Sequence, residues 1–150
     1  MTRSAITIEQ FNQLATDALP FFHLMKFRVD DLERDKALLR AVCDESALRP
    51  GGTVAGPVMM GLADAAFYAV VLANIGLVSL AVTTNLSINF LRKPGPGDVF
   101  CQASLLKLGK RLAVCEGTIF STDLGIEKPV AHVTGTYSIP PLSDNDKNSG

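Results

Sequence analysis

The sequence predicts an α+β protein in which a curved antiparallel sheet of about six strands wraps one central apolar helix, with a short helix in front. Three observations predict it. Residues 52–73, GTVAGPVMMGLADAAFYAVVLA, open with small and turn-forming residues and then run apolar for about five helical turns. After Gly76 the period changes from helical to alternating: Leu86, Ile88 and Phe90 interleave with Asn85, Ser87 and Asn89. Turn signals then recur at 94–97, 109–110 and 123–125, close enough for short antiparallel connections. A helix that is apolar on all sides is buried, and a sheet is the element left to bury it.

The elements follow in order. Residues 1–5 are expected to be disordered. Thr7 starts a helix, with Gln10 three residues on as its capping-box partner. Ile8, Phe11, Leu14, Ala15 and Ala18 recur at helical spacing, and Pro20 ends the run. Residues 22–32 and 36–44 read as two strands joined by an Asp-Leu-Glu-Arg-Asp turn, and 47–52, ALRPGG, as a bent loop. Pro57 suits the first turn of the central helix because it needs no N–H partner there, and Gly76 suits its end. Strands follow at the alternating run near 85–90, at 99–108, at 112–121 and at 130–139. The tail 143–150 is polar and expected to be disordered. One domain over 1–150 is expected.

The bulk numbers exclude several classes. Fourteen Lys and Arg against 15 Asp and Glu give a net charge of −1, so no basic excess marks a nucleic-acid or anionic-membrane partner. Mean hydropathy is +0.25 with 47% apolar residues, a hint of burial between subunits. Cys43, Cys101 and Cys115 are odd in number, far apart and without a CxxC, as expected of free thiols in a reducing compartment. The start, MTRSAITIEQ, carries no signal-peptide core, and a cytoplasmic location is expected. The run 58–75 approaches membrane-spanning length, but it contains Asp64, Tyr68 and Asn74 and reads as a core helix.

Asp64 is the lone charge of residues 52–73, and a carboxylate in such company is neutralised, paired or used. His23 and His132 have no i,i+4 partner, so no metal is expected. Met59, Leu62, Ala63, Ala66, Phe67 and Val70 form a core face, part of which is a candidate tunnel lining.

Three segments carry a resemblance: GTVAGPVMMGLAD, AVTTNLSINFLRKPGPGD and LLKLGKRLAVCEGTIF. Together they resemble the PaaI-type acyl-CoA thioesterases of the hotdog-fold superfamily over roughly residues 48–138. The resemblance implies hydrolysis of a thioester between an acyl group and coenzyme A, without a cofactor. It implies Asp64 as base or nucleophile, the Gly56 N–H as donor to the thioester oxygen, and Thr83 as a hydroxyl that helps hold the water. The family histidine is Ala55 here, and the second glycine of its motif is Pro57, which has no N–H to give. An asparagine found in some relatives is matched by Arg49, which could hold a carboxylate or a phosphate.

Gly56 and Asp64 lie eight residues apart, about 12 Å of rise and roughly 80° of rotation on one helix. A two-fold dimer would bring Gly56 of one subunit beside Asp64 of the other, so a homodimer or homotetramer with shared sites is expected. Lys110, Arg111, Arg92 and Lys93 are candidate contacts for the coenzyme A phosphates. Two other readings stay open: a non-catalytic acyl-CoA binding module, and a hotdog hydratase or dehydratase, which generally pairs its aspartate with a nearby histidine.

Overall fold

The computed structural model describes residues 3–141. The expected disorder at 143–150 and at the first two residues lies outside the described residues. Ala5, expected to be loose, is tied down: its N–H donates to the Ala73 carbonyl at 2.7 Å, and Ile6 next to it is buried.

Helix α1 spans Ile8–Ala18. Its capping box is formed, with Gln10 N–H donating to the Thr7 hydroxyl at 3.0 Å and Thr7 N–H to the Gln10 side chain at 2.9 Å. A second short helix, α2 (Pro20–Leu24), replaces the start of the strand expected from residue 22. Pro20 ends α1 and is itself pre-set for the first turn of α2. Phe22 is then buried edge-to-face against Phe11 at 5.5 Å and Phe27 at 5.9 Å, a position a strand would not reach. Lys26, at φ 58°, turns the chain into β1 (Phe27–Leu32).

Strand β2 covers Lys36–Ala41, shorter than the expected 36–44. Val42 N–H still pairs in register with the Lys26 carbonyl; the chain then leaves the ladder, and Cys43 N–H donates to Asp98 Oδ1. The expected loop at 47–52 is more ordered than predicted. A 3-10 turn, Glu45–Ala47, leads into a small hairpin of β3 (Leu48–Arg49) and β4 (Thr53–Val54). Gly51 and Gly52 make its bend at φ 97° and 80°, which side chains other than glycine rarely adopt.

The central helix α3 runs Gly56–Ile75 and stops at Gly76, whose φ is 90°. With a mean hydropathy of 1.8 it is long and apolar enough to cross a membrane, but most of it is buried inside the protein. Four strands follow: β5 (Val82–Phe90), β6 (Val99–Leu108), β7 (Leu112–Ser121) and β8 (Ala131–Ser138). The six long strands form one antiparallel sheet in the order β1-β2-β6-β7-β8-β5, packed around α3, which is the hotdog arrangement. Strands β1 and β5 are its outer members.

Phe67 shows how close the helix lies. It is fully buried, and a Cβ added at Gly135 or Gly117 would stand 2.7 or 3.2 Å from its ring. These two glycines let the helix settle onto the strands. Leu39, Cys101, Ala103, Cys115, Ile119 and Val133 close the core around it from the sheet.

Candidate active site

Asp64 sits midway along α3, on the side of the helix that meets β5, β8 and the N-terminal helices. Two hydroxyls converge on one of its carboxylate oxygens. Thr83 Oγ1 donates to Oδ1, and the Tyr137 hydroxyl reaches Oδ1 at 2.7 Å and the Asp64 backbone carbonyl at 2.9 Å. Thr83 and Tyr137 are direct cross-strand partners on β5 and β8. The ladder slips just after them, between Thr83 and Asn85. This bulge lets Thr83 aim at the helix while Thr84 donates sideways to the Thr136 carbonyl.

Beside Asp64 lies a cavity of about 240 Å³. Its floor is a helical stripe of α3: Gly61, Asp64, Ala65 and Tyr68. Its walls are the rings of Phe11, Phe21, Phe22 and Phe27, and residues 79–83 with Tyr137 close it on the β5 side. These rings pack edge-to-face, Phe11 on Tyr68 at 6.0 Å and Phe21 on Phe27 at 6.3 Å. Phe21 is 55% exposed and stands at the rim. Gly61 admits it: a Cβ there would meet the Phe21 and Phe27 rings at 3.3 Å.

The expected tunnel face is corrected by this geometry. Met59, Leu62, Ala63, Ala66, Phe67 and Val70 do not line the cavity. They are buried in the core, where Phe67 already touches the sheet, and the neighbouring stripe of the helix is the open one.

Burial pushes the Tyr137 phenol well above its ordinary pKa, and the Asp64 charge adds to that. The hydroxyl therefore stays a donor. Burial likewise lifts Tyr68 to about 12, and its hydroxyl donates to the Ser79 carbonyl at 2.9 Å.

The other sequence candidates lie elsewhere. Gly56 opens α3 and packs under the Phe90 ring, which a Cβ would meet at 3.3 Å. Its N–H has no hydrogen-bond partner among the described residues. Arg49 is exposed on β3 near the same end. Neither lines the Asp64 cavity. Lys110 and Arg111 border a separate recess of about 390 Å³ at the far end of α3, with Ile75 and Ile139. Arg92 is already engaged, donating to the Pro129 carbonyl at 2.8 Å, and Lys93 is exposed. One protomer thus joins Asp64 to Thr83 and leaves the remaining candidates apart.

Tyr137 is the site residue that sequence reasoning passes over. Its strand is legible, and its alternation marks an inward-facing position; its contact with a carboxylate 73 residues away has no local signal.

Comparison with known proteins agrees with the fold. Residues 51–127 match the thioesterase superfamily. A solved structure from Silicibacter sp. TM1040, provisionally named a thioesterase, is 44% identical with a TM-score of 0.82 and covers 93% of this chain and 96% of its own. A mutant of the phenylacetic acid degradation protein PaaI from Thermus thermophilus is 26% identical with a TM-score of 0.70, over 81% of this chain and 99% of that one. A Thermoplasma acidophilum protein provisionally named an esterase is 27% identical over 93 residues, 62% of this chain and 70% of its own length. The chain belongs to the thioesterase superfamily, among the PaaI-type hotdog thioesterases.

Proposed function

We propose that this protein is an acyl-CoA thioesterase with Asp64 at its centre. The observation that carries the reading is the placement of Asp64: its carboxylate opens on an aromatic-walled cavity and is held there by Thr83. A carboxylate fixed beside an apolar acyl pocket is what general-base hydrolysis of a thioester requires. Water attacks the thioester carbonyl carbon as Asp64 takes its proton. The tetrahedral intermediate then collapses with cleavage of the C–S bond. The acid is released, and the proton returns from Asp64 to the departing coenzyme A sulfur.

The oxyanion needs a donor, and Gly56 N–H is free at a helix N-terminus, where the dipole favours negative charge. It stands about 12 Å further along the helix than Asp64, too far to serve the same carbonyl. We infer a two-fold dimer in which each Asp64 works with the partner's Gly56. The outer strand β5 supports this arrangement. Its free edge is flanked by Leu80, Val82, Phe90 and Leu91, all more than half exposed, an apolar border suited to a second copy. Arg49 then serves a phosphate or an acyl carboxylate, and Lys110 and Arg111 serve the nucleotide phosphates. Arg92 and Lys93 are weaker phosphate candidates, Arg92 because it is already engaged.

The cavity suits a compact acyl group. Its volume lies below the roughly 300–1,000 Å³ usual for drug-sized ligands, and six aromatic rings share its lining with Leu19 and Val82. An arylacetyl group fits that lining by edge-to-face packing. The PaaI relative, named for phenylacetic acid degradation, points the same way.

The test is thiol release from short, medium, long and aryl acyl-CoAs, with wild type beside Asp64→Asn. Turnover that collapses in a folded, substrate-binding Asp64→Asn protein supports the reading. Binding without turnover by wild type would replace it with a non-catalytic module.

A further inference from the structure

We propose that Tyr137 is a positioning residue of the hydrolysis, pinning Oδ1 of Asp64 together with Thr83 so that Oδ2 is the oxygen that receives the proton of water. The proposal rests on the thioesterase reading above and adds to it which atom does the work and what holds it.

Three observations meet here. First, both donors use the same oxygen. Thr83 Oγ1 and the Tyr137 hydroxyl each bond Oδ1, and Oδ2 has no partner among the described residues. Second, Oδ2 is open. No buried side-chain oxygen or nitrogen among the described residues lacks a hydrogen bond, so the unpartnered Oδ2 is in reach of solvent in the cavity. Third, the anchor is rigid. Tyr137 is 3% exposed, tilted against Tyr68 at 6.1 Å, and paired across the ladder with Thr83. Its single proton has two acceptors, and both belong to Asp64. Whichever it takes, residue 64 is held, and the charged oxygen is the stronger acceptor. A phenol buried beside a carboxylate keeps its proton, so the bond persists at any pH where a carboxylate base works.

Two donors on Oδ1 fix the carboxylate plane about its last torsion, which is otherwise broad. Oδ2 is left without a donor among the described residues and faces the cavity, where the thioester would lie. Removing one donor leaves the other; removing both frees the rotor.

The experiment measures kcat and KM for wild type, Tyr137→Phe, Thr83→Val and the double variant, on an acyl-CoA that wild type hydrolyses. Tyr137→Phe keeps the ring and its packing. The expected result is a kcat about 10- to 100-fold lower with KM within about twofold. The double variant is expected to lose more than the product of the two single losses. An unchanged kcat in Tyr137→Phe overturns the proposal, as does a change confined to KM or a double loss equal to the product. If Tyr137→Phe does not fold, Thr83→Val alone decides. Retention of more than about a tenth of kcat supports Tyr137 as the remaining anchor, and a fall to the Asp64→Asn level overturns it. A wild type inert toward every acyl-CoA overturns the thioesterase reading and this one with it. An active wild type with an indifferent Tyr137→Phe overturns this one alone.

Discussion

Two stations on one helix differ in how complete they are. At Asp64, midway along α3, the chain supplies a carboxylate, two hydroxyls and a walled cavity from four separate segments. At Gly56, where α3 begins, it supplies an unused N–H, a capping phenylalanine and an exposed arginine nearby, and stops. The first station brings its groups together within a protomer; the second leaves its donor without an acceptor among the described residues. The difference teaches that two groups about 12 Å apart along one helix do not meet one small carbonyl, which is why the proposed mechanism draws on a second copy.

The largest test removes each station in turn. Asp64→Asn is expected to lower kcat by about 10²- to 10⁴-fold, read by thiol release. Gly56→Pro removes the N–H at the cost of a ring placed against Phe90, and Ala55 before it, at ψ 141°, already suits a following proline. Its expected loss is about 10²- to 10³-fold in kcat, provided that the Phe90 ring yields slightly. The comparison then sharpens on mixing. Asp64→Asn and Gly56→Pro proteins, unfolded and refolded together, should regain about a quarter of wild-type activity, because half of the dimers are mixed and each carries one intact site. No regain would place both groups in one protomer's site and break the scheme.

The cavity gives the next effect. Phe21→Ala should widen the rim and raise kcat/KM for long acyl chains relative to arylacetyl, by about tenfold. Gly61→Ala should act the opposite way, since its methyl meets the Phe21 and Phe27 rings. Both ratios come from the same substrate panel. If the two variants shift selectivity in the same direction, the wall does not select.

Away from both stations, Gly135→Ala should destabilise the fold by about 1–3 kcal/mol in urea titration, because its methyl would stand 2.7 Å from the Phe67 ring. The smallest effect concerns the thiols. Burial pushes Cys101 and Cys115 up to about 12, so both remain protonated at neutral pH. A disulfide reagent should label half-buried Cys43 first and reach the other two only on unfolding.

The fold was legible wherever its signal was local. The capping box at Thr7 and Gln10, the apolar run of α3 with Pro57 and Gly76, and the alternation of β5 to β8 each need only neighbours a few residues away. Residues 22–24 misread because aromatic residues suit strands; the ring stack of Phe11, Phe22 and Phe27 overrides that preference, and it exists only in the folded chain. The site divides in the same way. Asp64 stands out as a lone charge in an apolar run. Tyr137 does not, for a tyrosine on an alternating strand is ordinary until the helix is laid across it. The aromatic wall was also invisible, as it belongs to α1, α2 and β1, none of which lies within the family-matched residues 51–127.

That wall is fastened at both ends. Ala5 N–H holds the Ala73 carbonyl in the last turns of α3, and at the other end β1 enters the sheet beside β2. A flap must pay for its closing in lost freedom each time a ligand arrives; a strut has met that cost during folding. The pair of short helices is therefore a strut. On the proposed reading, an acyl group meets a mould that folding has already set rather than one that closes around it.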